Sequence, residues 1–315
     1  MLHISPGLTH LLRVSMNIEL RQLRHFITVA EELHFGRAAE RLHMTQPPLS
    51  QSIANLEHQL GAPLFLRNRR QVTLTPAGSA LLPEARRIIG DAGGLSGLVQ
   101  RVAAGEAGRL TLAFVSTADY SVLPGILQRY RAAFPEVQLV LREATTDVQA
   151  EELLHGRIDA GFVIPPLPGR TDSGVAYRRV LEEHLILCAP AGLDALKGEG
   201  PVSLRDLPPL PLVIFPRALA PLLHDAILAT FRAAGLTPVI GQEAIQMQTI
   251  VSLVSGGMGL ALVPQSVSNL MRAGVEYRAL RESTPLTELG LAWRRDNASP
   301  VLRGFLDLIE KIEKE

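Results

Sequence analysis

Residues 34–60 read HFGRAAERLHMTQPPLSQSIANLEHQL, and this stretch decides the fold of the N-terminal part. Ala38, Ala39 and Leu42 give a short helix with a small, closely packing face. Leu42, His43, Met44 and Thr45 then make a tight turn. Thr45 is a natural N-cap for a second helix, and Pro47 and Pro48 are tolerated there because first-turn amides have no intrahelical partner. Leu49, Ile53, Leu56 and Leu60 recur at helical spacing and face inward, while Gln46, Pro47, Ser50, Gln51 and Ala54 face outward. Two short helices across a tight turn, the second with a polar outer face, predict a helix-turn-helix. Its amide side chains suit base edges in a major groove about 12 Å wide. A plain helical hairpin with a solvated basic loop has the same spacing.

Upstream, Leu20, Leu23, Phe26, Ile27, Ala30 and Leu33 line one face of a helix, with Asn17 placed to cap it. Downstream, residues 61–75 read as a hairpin-like wing whose Arg67, Arg69 and Arg70 are placed for phosphates or a narrow minor groove. Next, Ala77, Leu81, Ala85, Ile88, Ala92, Leu95, Val99 and Val102 fall at spacings of three and four. That heptad-like seam suits pairing with a second copy of itself. Gly90, Gly93, Gly94 and Gly97 each weaken the helix by about 1 kcal/mol relative to alanine, and Pro83 kinks it.

From residue 109 onward, apolar runs alternate with helical stretches. Strands are expected over 109–115, 137–142, 158–164, 184–189, 212–215 and 260–263, and helices over 123–134, 147–155, 221–234 and 244–255. The alternation predicts α/β architecture with parallel sheets, in two lobes with a cleft between them. Strands 109–115 and 137–142 run into Ser116-Thr117 and Thr145-Thr146. Hydroxyls and helix-start amides at the carboxyl ends of parallel strands make an anion site suited to a carboxylate. Simple N-capping accounts for the same residues. On the other lobe Phe215, Pro216 and Arg217 repeat the strand-to-loop geometry.

The 315 residues are 47% apolar and 20% charged, enough for about two domains with real cores. Net charge is zero, and three lysines stand against 28 arginines, which reads first as codon bias. The single Cys188 rules out an intrachain disulfide or a cysteine-rich metal site. No apolar run approaches the roughly 18–20 residues of a membrane span, so a cytoplasmic protein is expected. Gly257-Met258-Gly259 lacks the third glycine of a dinucleotide fingerprint. No nucleophile elbow, phosphate loop or His-Glu-x-x-His is present, so no catalytic residue, cofactor or metal is assigned.

The segment 17–78 resembles the winged helix-turn-helix of the LysR-type transcriptional regulators. The residues that carry the likeness include Leu20-Arg21-Gln22-Leu23, Phe35, Arg37-Ala38-Ala39, Gln46-Pro47-Pro48-Leu49-Ser50, Leu56-Glu57, Leu64-Phe65, Arg67, Arg70 and Leu74-Thr75-Pro76-Ala77-Gly78. Many members have arginine where this chain has Gln51, which shifts the favoured base from guanine to adenine. The C-terminal part is similar to the family's effector domain, itself like periplasmic solute-binding proteins, through Gly156-Arg157-Ile158-Asp159-Ala160-Gly161 and Gly256-Gly257-Met258-Gly259-Leu260. The resemblance implies a winged domain over 16–75 and a dimerising linker helix over 76–105. It further implies an effector domain over 106–315, with one lobe at 109–165 and 282–315 and the other at 166–281. Residues 1–15 then form an extension or reflect a mis-called start.

On this reading DNA is contacted by Arg37, Thr45, Gln46, Pro47, Ser50, Gln51, Arg67 and Arg70. The effector is held by Ser116, Thr117, Thr145, Thr146, Phe215 and Arg217. The subgroup controlling aromatic-compound breakdown is the nearest in pattern; in it the positions of Thr117 and Thr146 hold the effector carboxylate. The implied protein is a homotetramer built from dimers, switched by a small aromatic or unsaturated acid, with RNA polymerase a further partner to weigh. A transport solute-binding protein is the alternative class; it requires a signal peptide and no helix-turn-helix.

Overall fold

A computed structural model describes residues 18–68, 71–167 and 174–314. The extension over 1–15, Asn17, Arg69 and Arg70 lie outside the described residues. The chain forms two compact units, Met1–Val99 and Gln100–Glu315.

The first unit runs α1 (Leu20–Glu32), α2 (Phe35–Arg41), α3 (Gln46–Leu60), the antiparallel hairpin β1 (Phe65–Asn68) and β2 (Gln71–Leu74), and then α4 (Pro76–Ala104), which continues into the second unit. The cap of α1 is Glu19, in a reciprocal capping box with Gln22. Phe26, Ala38, Leu49, Ile53 and Leu56 are fully buried and join the three helices. The Phe65 ring brings the wing into the same core, 5.5 Å from Phe26 and 5.9 Å edge-on from Phe35. Gly61 ends α3 at a φ of 67°, where a side chain would be strained. The apolar seam of α4 divides. Ala85 and Leu81 pack on this unit's own core, whereas Ile88, Leu95, Val99 and Val102 are exposed. Two positions of the expected pairing face, Leu81 and Ala85, are therefore used within the chain.

The second unit has two lobes. The first lobe contains β3 (Ala107–Phe114), α5 (Ser116–Asp119), α6 (Leu123–Ala133), β4 (Glu136–Glu143), α7 (Thr146–Leu154), β5 (Ala160–Val163) and β6 (Val175–Glu183). The second contains β7 (Leu185–Pro190), β8 (Leu212–Ile214), α8 (Pro221–Ala233), β9 (Ile240–Glu243), α9 (Met247–Ser255), β10 (Ala261–Pro264) and β11 (Val275–Arg278). The chain then returns to the first lobe as β12 (Thr287–Arg294) and α10 (Pro300–Ile312).

The first-lobe sheet has the order β4-β3-β5-β12-β6; β3 is parallel to β4 and β5, and β12 is antiparallel to β5 and β6. The second lobe has an antiparallel sheet β10-β7-β11 beside a parallel pair β8-β9. The sheets are thus mixed rather than purely parallel: β12, returning from the second lobe, runs against β5 and β6, and β7, the first strand of the second lobe, runs against β10 and β11. The lobe boundary also differs from the expected crossing near residue 166. β6 hydrogen-bonds into the first-lobe sheet along its length, so the chain enters the second lobe only after Glu183.

α10 closes the first lobe. Ser299 caps it, its Oγ accepting from the Leu302 amide at 3.4 Å, and Pro300 occupies its start. Phe305 is fully buried and meets the rings of Tyr130 and Phe162 edge-on, at 5.1 and 6.4 Å. Phe305→Ala is expected to destabilise the second unit by about 3–5 kcal/mol, read by denaturant unfolding through the single Trp293 of β12.

Candidate functional site

The outer face of the helix-turn-helix is built from the core outward. His34 starts α2, its Nδ1 accepting from the Gly36 and Arg37 amides at 3.1 and 3.2 Å. His43 takes a left-handed φ of 53° in the turn, and Thr45 occupies the N-cap position of α3 in extended backbone, without the side-chain capping bond expected of it. With Leu49, Ile53 and Leu56 turned inward, Thr45, Gln46, Pro47, Gln51 and Asn55 are exposed, and Ser50 is half-buried. Gln51 Nε2 donates to Asn55 Oδ1 at 2.9 Å, so the two amides form a pair along the helix. The sequence reading missed Asn55, although its i,i+4 spacing from Gln51 was the available signal.

Several arginines of this unit are held by carboxylates. Glu57 Oε1 accepts from the Leu64 and Phe65 amides at 2.8 and 3.2 Å, and its Oε2 receives Arg67 at 3.1 Å. The Arg67 guanidinium also lies 4.8 Å from the centre of the Phe35 ring. Arg37 donates to the Glu32 carbonyl at 2.6 Å and pairs with its carboxylate at 3.4 Å. Ser52, beneath the face, is joined to His25 Nδ1 at 2.8 Å. Burial, with the Arg21 charge second, lowers the affinity of His25 for a proton.

Between the lobes of the second unit lies a narrow cleft open to solvent. The first lobe supplies Ser116 and Thr117 where β3 runs into α5, and Thr145 and Thr146 where β4 runs into α7. Phe215, Leu219, Ala220, Ile245, Gln246 and Met247 come from the second lobe. Gln149 is fully buried and ties two strand ends together, donating to the carbonyls of Ala144 at 2.7 Å and Phe162 at 3.1 Å. The Thr146 hydroxyl is already engaged, accepting from Ile164 N at 3.1 Å and donating to Ile164 O at 3.2 Å. Thr117, only 4% exposed, differs: its hydroxyl oxygen has no hydrogen-bond partner among the described residues. Glu143 stands exposed on the cleft wall, and among the described residues no arginine or lysine lines it.

Residues 20–79 match the family described as "Bacterial regulatory helix-turn-helix protein, lysR family", and residues 103–312 match "LysR substrate binding domain". The chain belongs to the LysR family. Among its relatives, the transcriptional regulator IlvR of Caulobacter vibrioides is 49% identical over 292 residues, 93% of this chain and 97% of IlvR. AlsR of Bacillus subtilis is 38% identical over 291 residues, 92% of this chain and 95% of AlsR. The solved structure of full-length CbnR with its target DNA superposes with a TM-score of 0.78 at 29% identity, covering 93% of this chain and 99% of CbnR.

This LysR-type chain is therefore a transcription regulator with a DNA-binding helix-turn-helix and an effector-binding domain, and the transport-protein alternative is set aside. Two expectations are corrected at the cleft. Arg217 does not line it: Nε and Nη2 grip both oxygens of Asp225 at 2.8 and 2.9 Å on the protein surface. That grip holds the Asp225 carboxyl down at about 2. Gln246 and Met247 enter the wall instead, because α9 begins at Met247 rather than at the expected residue 244. Cys188 is buried in β7, and burial pushes its thiol up to about 12, so it offers no thiolate for chemistry. Among the described residues no helix is long and apolar enough to cross a membrane.

Proposed function

We propose that a small carboxylic acid with an aromatic or unsaturated body binds between the lobes and switches the regulator. The observation that carries this reading is the buried, unpartnered Thr117 hydroxyl in a wall that is otherwise largely apolar. A buried hydroxyl without a partner is costly, and a carboxylate oxygen would answer it. The first turn of α7 adds amides, since the first intrahelical donor there is Gln149 N, to Thr145 O. Thr145 and Ser116 stand beside these donors, while Thr146 serves by clamping the end of β5. Phe215, Ile245 and Met247 are left to pack the ligand body. Ligand binding changes the angle between lobes, and with it the DNA geometry that RNA polymerase meets at the adjoining promoter.

For DNA, the proposed reader is the Gln51–Asn55 amide pair, with Thr45, Gln46, Pro47 and Ser50 at the helix start and Arg37, Arg67 and Arg70 on phosphates. One Nε2 hydrogen of Gln51 goes to Asn55, which leaves its second N–H and its Oε1 for a base edge, the donor and acceptor that suit adenine N7 and N6. Gln51→Ala or Asn55→Ala is expected to weaken operator binding by about 1–3 kcal/mol and relax choice at the same one or two base pairs, measured by selection from randomised operators. Unchanged preference in both variants would refute the assignment.

The exposed Ile88, Leu95, Val99 and Val102 of α4 support pairing with a second chain, and two such dimers make the proposed tetramer. Leu95→Asp puts a charge on this face and is expected to lower the sedimenting mass. A parent-sized particle with an unchanged two-half-site footprint would exclude the helix as the essential contact.

The effector reading is tested by calorimetric titration with benzoate and cis,cis-muconate, using benzamide as the neutral control. Thr117→Val is expected to weaken binding by about 1.5–3 kcal/mol, roughly 10- to 150-fold. Equal affinity in wild type and variant would discard the site, and binding of benzamide alone would discard the ligand class.

A further inference from the structure

The interlobe cleft carries a charge that a plain carboxylate does not answer. Glu143 ends β4, is exposed to solvent and lines the cleft. Its carboxylate makes no ion pair or hydrogen bond among the described residues. A free carboxylate on the wall opposes a second one that enters beside it. Among the described lining residues there is no arginine or lysine to offset that repulsion.

The positive side of the cleft is made by helix starts. Thr145, Ala220 and Gln246 are the N-cap residues of α7, α8 and α9, all three line the cleft, and none caps its helix with a side chain. First-turn amides and the helix dipoles therefore place partial positive charge there. Strand register brings the two signs together. Glu143 is the partner of Phe114 in the parallel pair β3–β4, and the Ala144 amide donates to the Phe114 carbonyl at 3.0 Å. Thr145 and Thr146 follow Glu143 on one strand end; Ser116 and Thr117 follow Phe114 on the next, about 4.8 Å away. An exposed anion and an anion-binding helix start thus share one short stretch of wall. The adjacent ammonium and carboxylate of an α-amino acid have that spacing.

We propose that the effector is an α-amino acid with an apolar side chain. Its carboxylate accepts from the first-turn amides of α7 and from Thr117, its ammonium donates to Glu143, and its side chain rests on Phe215, Ile245 and Met247. This rests on the carboxylate reading of the cleft and adds the second charge to it. A zwitterion neutralises Glu143 as it binds, whereas a simple acid leaves two negative charges side by side.

The test is calorimetric titration of the full-length protein with two matched sets. One is L-phenylalanine, 3-phenylpropanoate and 2-phenylethylamine; the other is L-leucine, 4-methylpentanoate and 3-methylbutylamine. In at least one set the amino acid is expected to bind about tenfold or more tightly than the acid or the amine that lacks one of its charges. Glu143→Gln removes an exposed charge that holds nothing within the chain, so it should fold normally. It should weaken the amino acid about three- to tenfold and strengthen the plain acid, a reversal that general damage to the cleft would not give. Thr117→Val should weaken both. The proposal is overturned if neither amino acid gives heat, if the plain acids bind as tightly as the amino acids, or if Glu143→Gln binds the amino acid as the wild type does. Binding of the plain acids without the amino acids overturns it and leaves the carboxylate reading standing; binding of the amines alone overturns both.

Discussion

The geometry of the second unit depends on how Glu183 is held where the chain passes between lobes. Glu183 is the last residue of β6 in the first lobe. Its carboxylate accepts from the Ser266 amide at 2.6 Å and the Ser266 hydroxyl at 2.9 Å, just beyond β10 in the second lobe. Its carbonyl accepts from Thr287 Oγ1 at 3.0 Å, on the strand by which the chain returns. One residue thus pins the outgoing crossing, the returning crossing and the neighbouring lobe together. Burial pushes its carboxyl up, while the two Ser266 bonds pull the other way by favouring the charged form. Two short crossings fixed side by side leave rotation of one lobe against the other as the soft motion of this unit.

Tyr120 opposes that rotation from the cleft side. It follows α5 directly, its carbonyl accepts from Asn269 Nδ2 at 2.7 Å, and its ring packs against the second-lobe core. Burial raises its hydroxyl to about 12, with Glu143 and Asp119 adding to the effect. α5 is only four residues long, with Ser116 and Thr117 at its start and the Tyr120 link at its end. A ligand that engages Thr117 therefore acts on the same short helix that joins the lobes. Differential contact with the lobe arrangement is what a ligand needs to shift an equilibrium between states.

The helix-turn-helix was legible because its signals are local: inward apolar residues at helical spacing, a threonine at the helix start and two prolines in a first turn. The hydroxyl-bearing strand ends were legible for a related reason, since the rule about carboxyl ends of strands needs only strand order along the chain. Three things were not. β6, VAYRRVLEE, hides its alternation under arginine and glutamate, and only its pairing with β12 makes it a strand. β12 is an interior strand of the sheet, between β5 and β6, although more than a hundred residues separate it from either, a distance no periodicity spans. The second-lobe wall of the cleft, from Leu219 to Met247, is brought to Thr117 by the hinge alone. α10 is a different case: Val301, Leu302, Phe305 and Ile309 repeat at helical spacing after Ser299-Pro300, and that signal was there to be read.

In the first unit the carboxylates decide which arginines are available to a phosphate. Glu31 accepts from Arg86 of α4 at 2.8 Å and from Arg41 at 3.0 Å; Glu32 holds Arg41 and Arg37; Glu57 holds Arg67. Exposed pairs of this kind contribute little to stability in water, typically below about 1 kcal/mol each. Their consequence lies in position. They fix long side chains along the edges of the helix-turn-helix and tie α4 to α1. Each also sets a compensation: a phosphate that reaches Arg37 or Arg67 meets a guanidinium already partly neutralised by Glu32 or Glu57, so the gain from phosphate contact is reduced. Arg67 is the more constrained, because Glu57 also anchors the wing through two backbone amides and Phe35 lies under the guanidinium. The exposed face of α3 carries no arginine or lysine, only the amides of Gln46, Gln51 and Asn55 and the ring of His58. Discrimination between bases and attraction to the backbone are thereby placed on different side chains, and only the second is strongly dependent on salt.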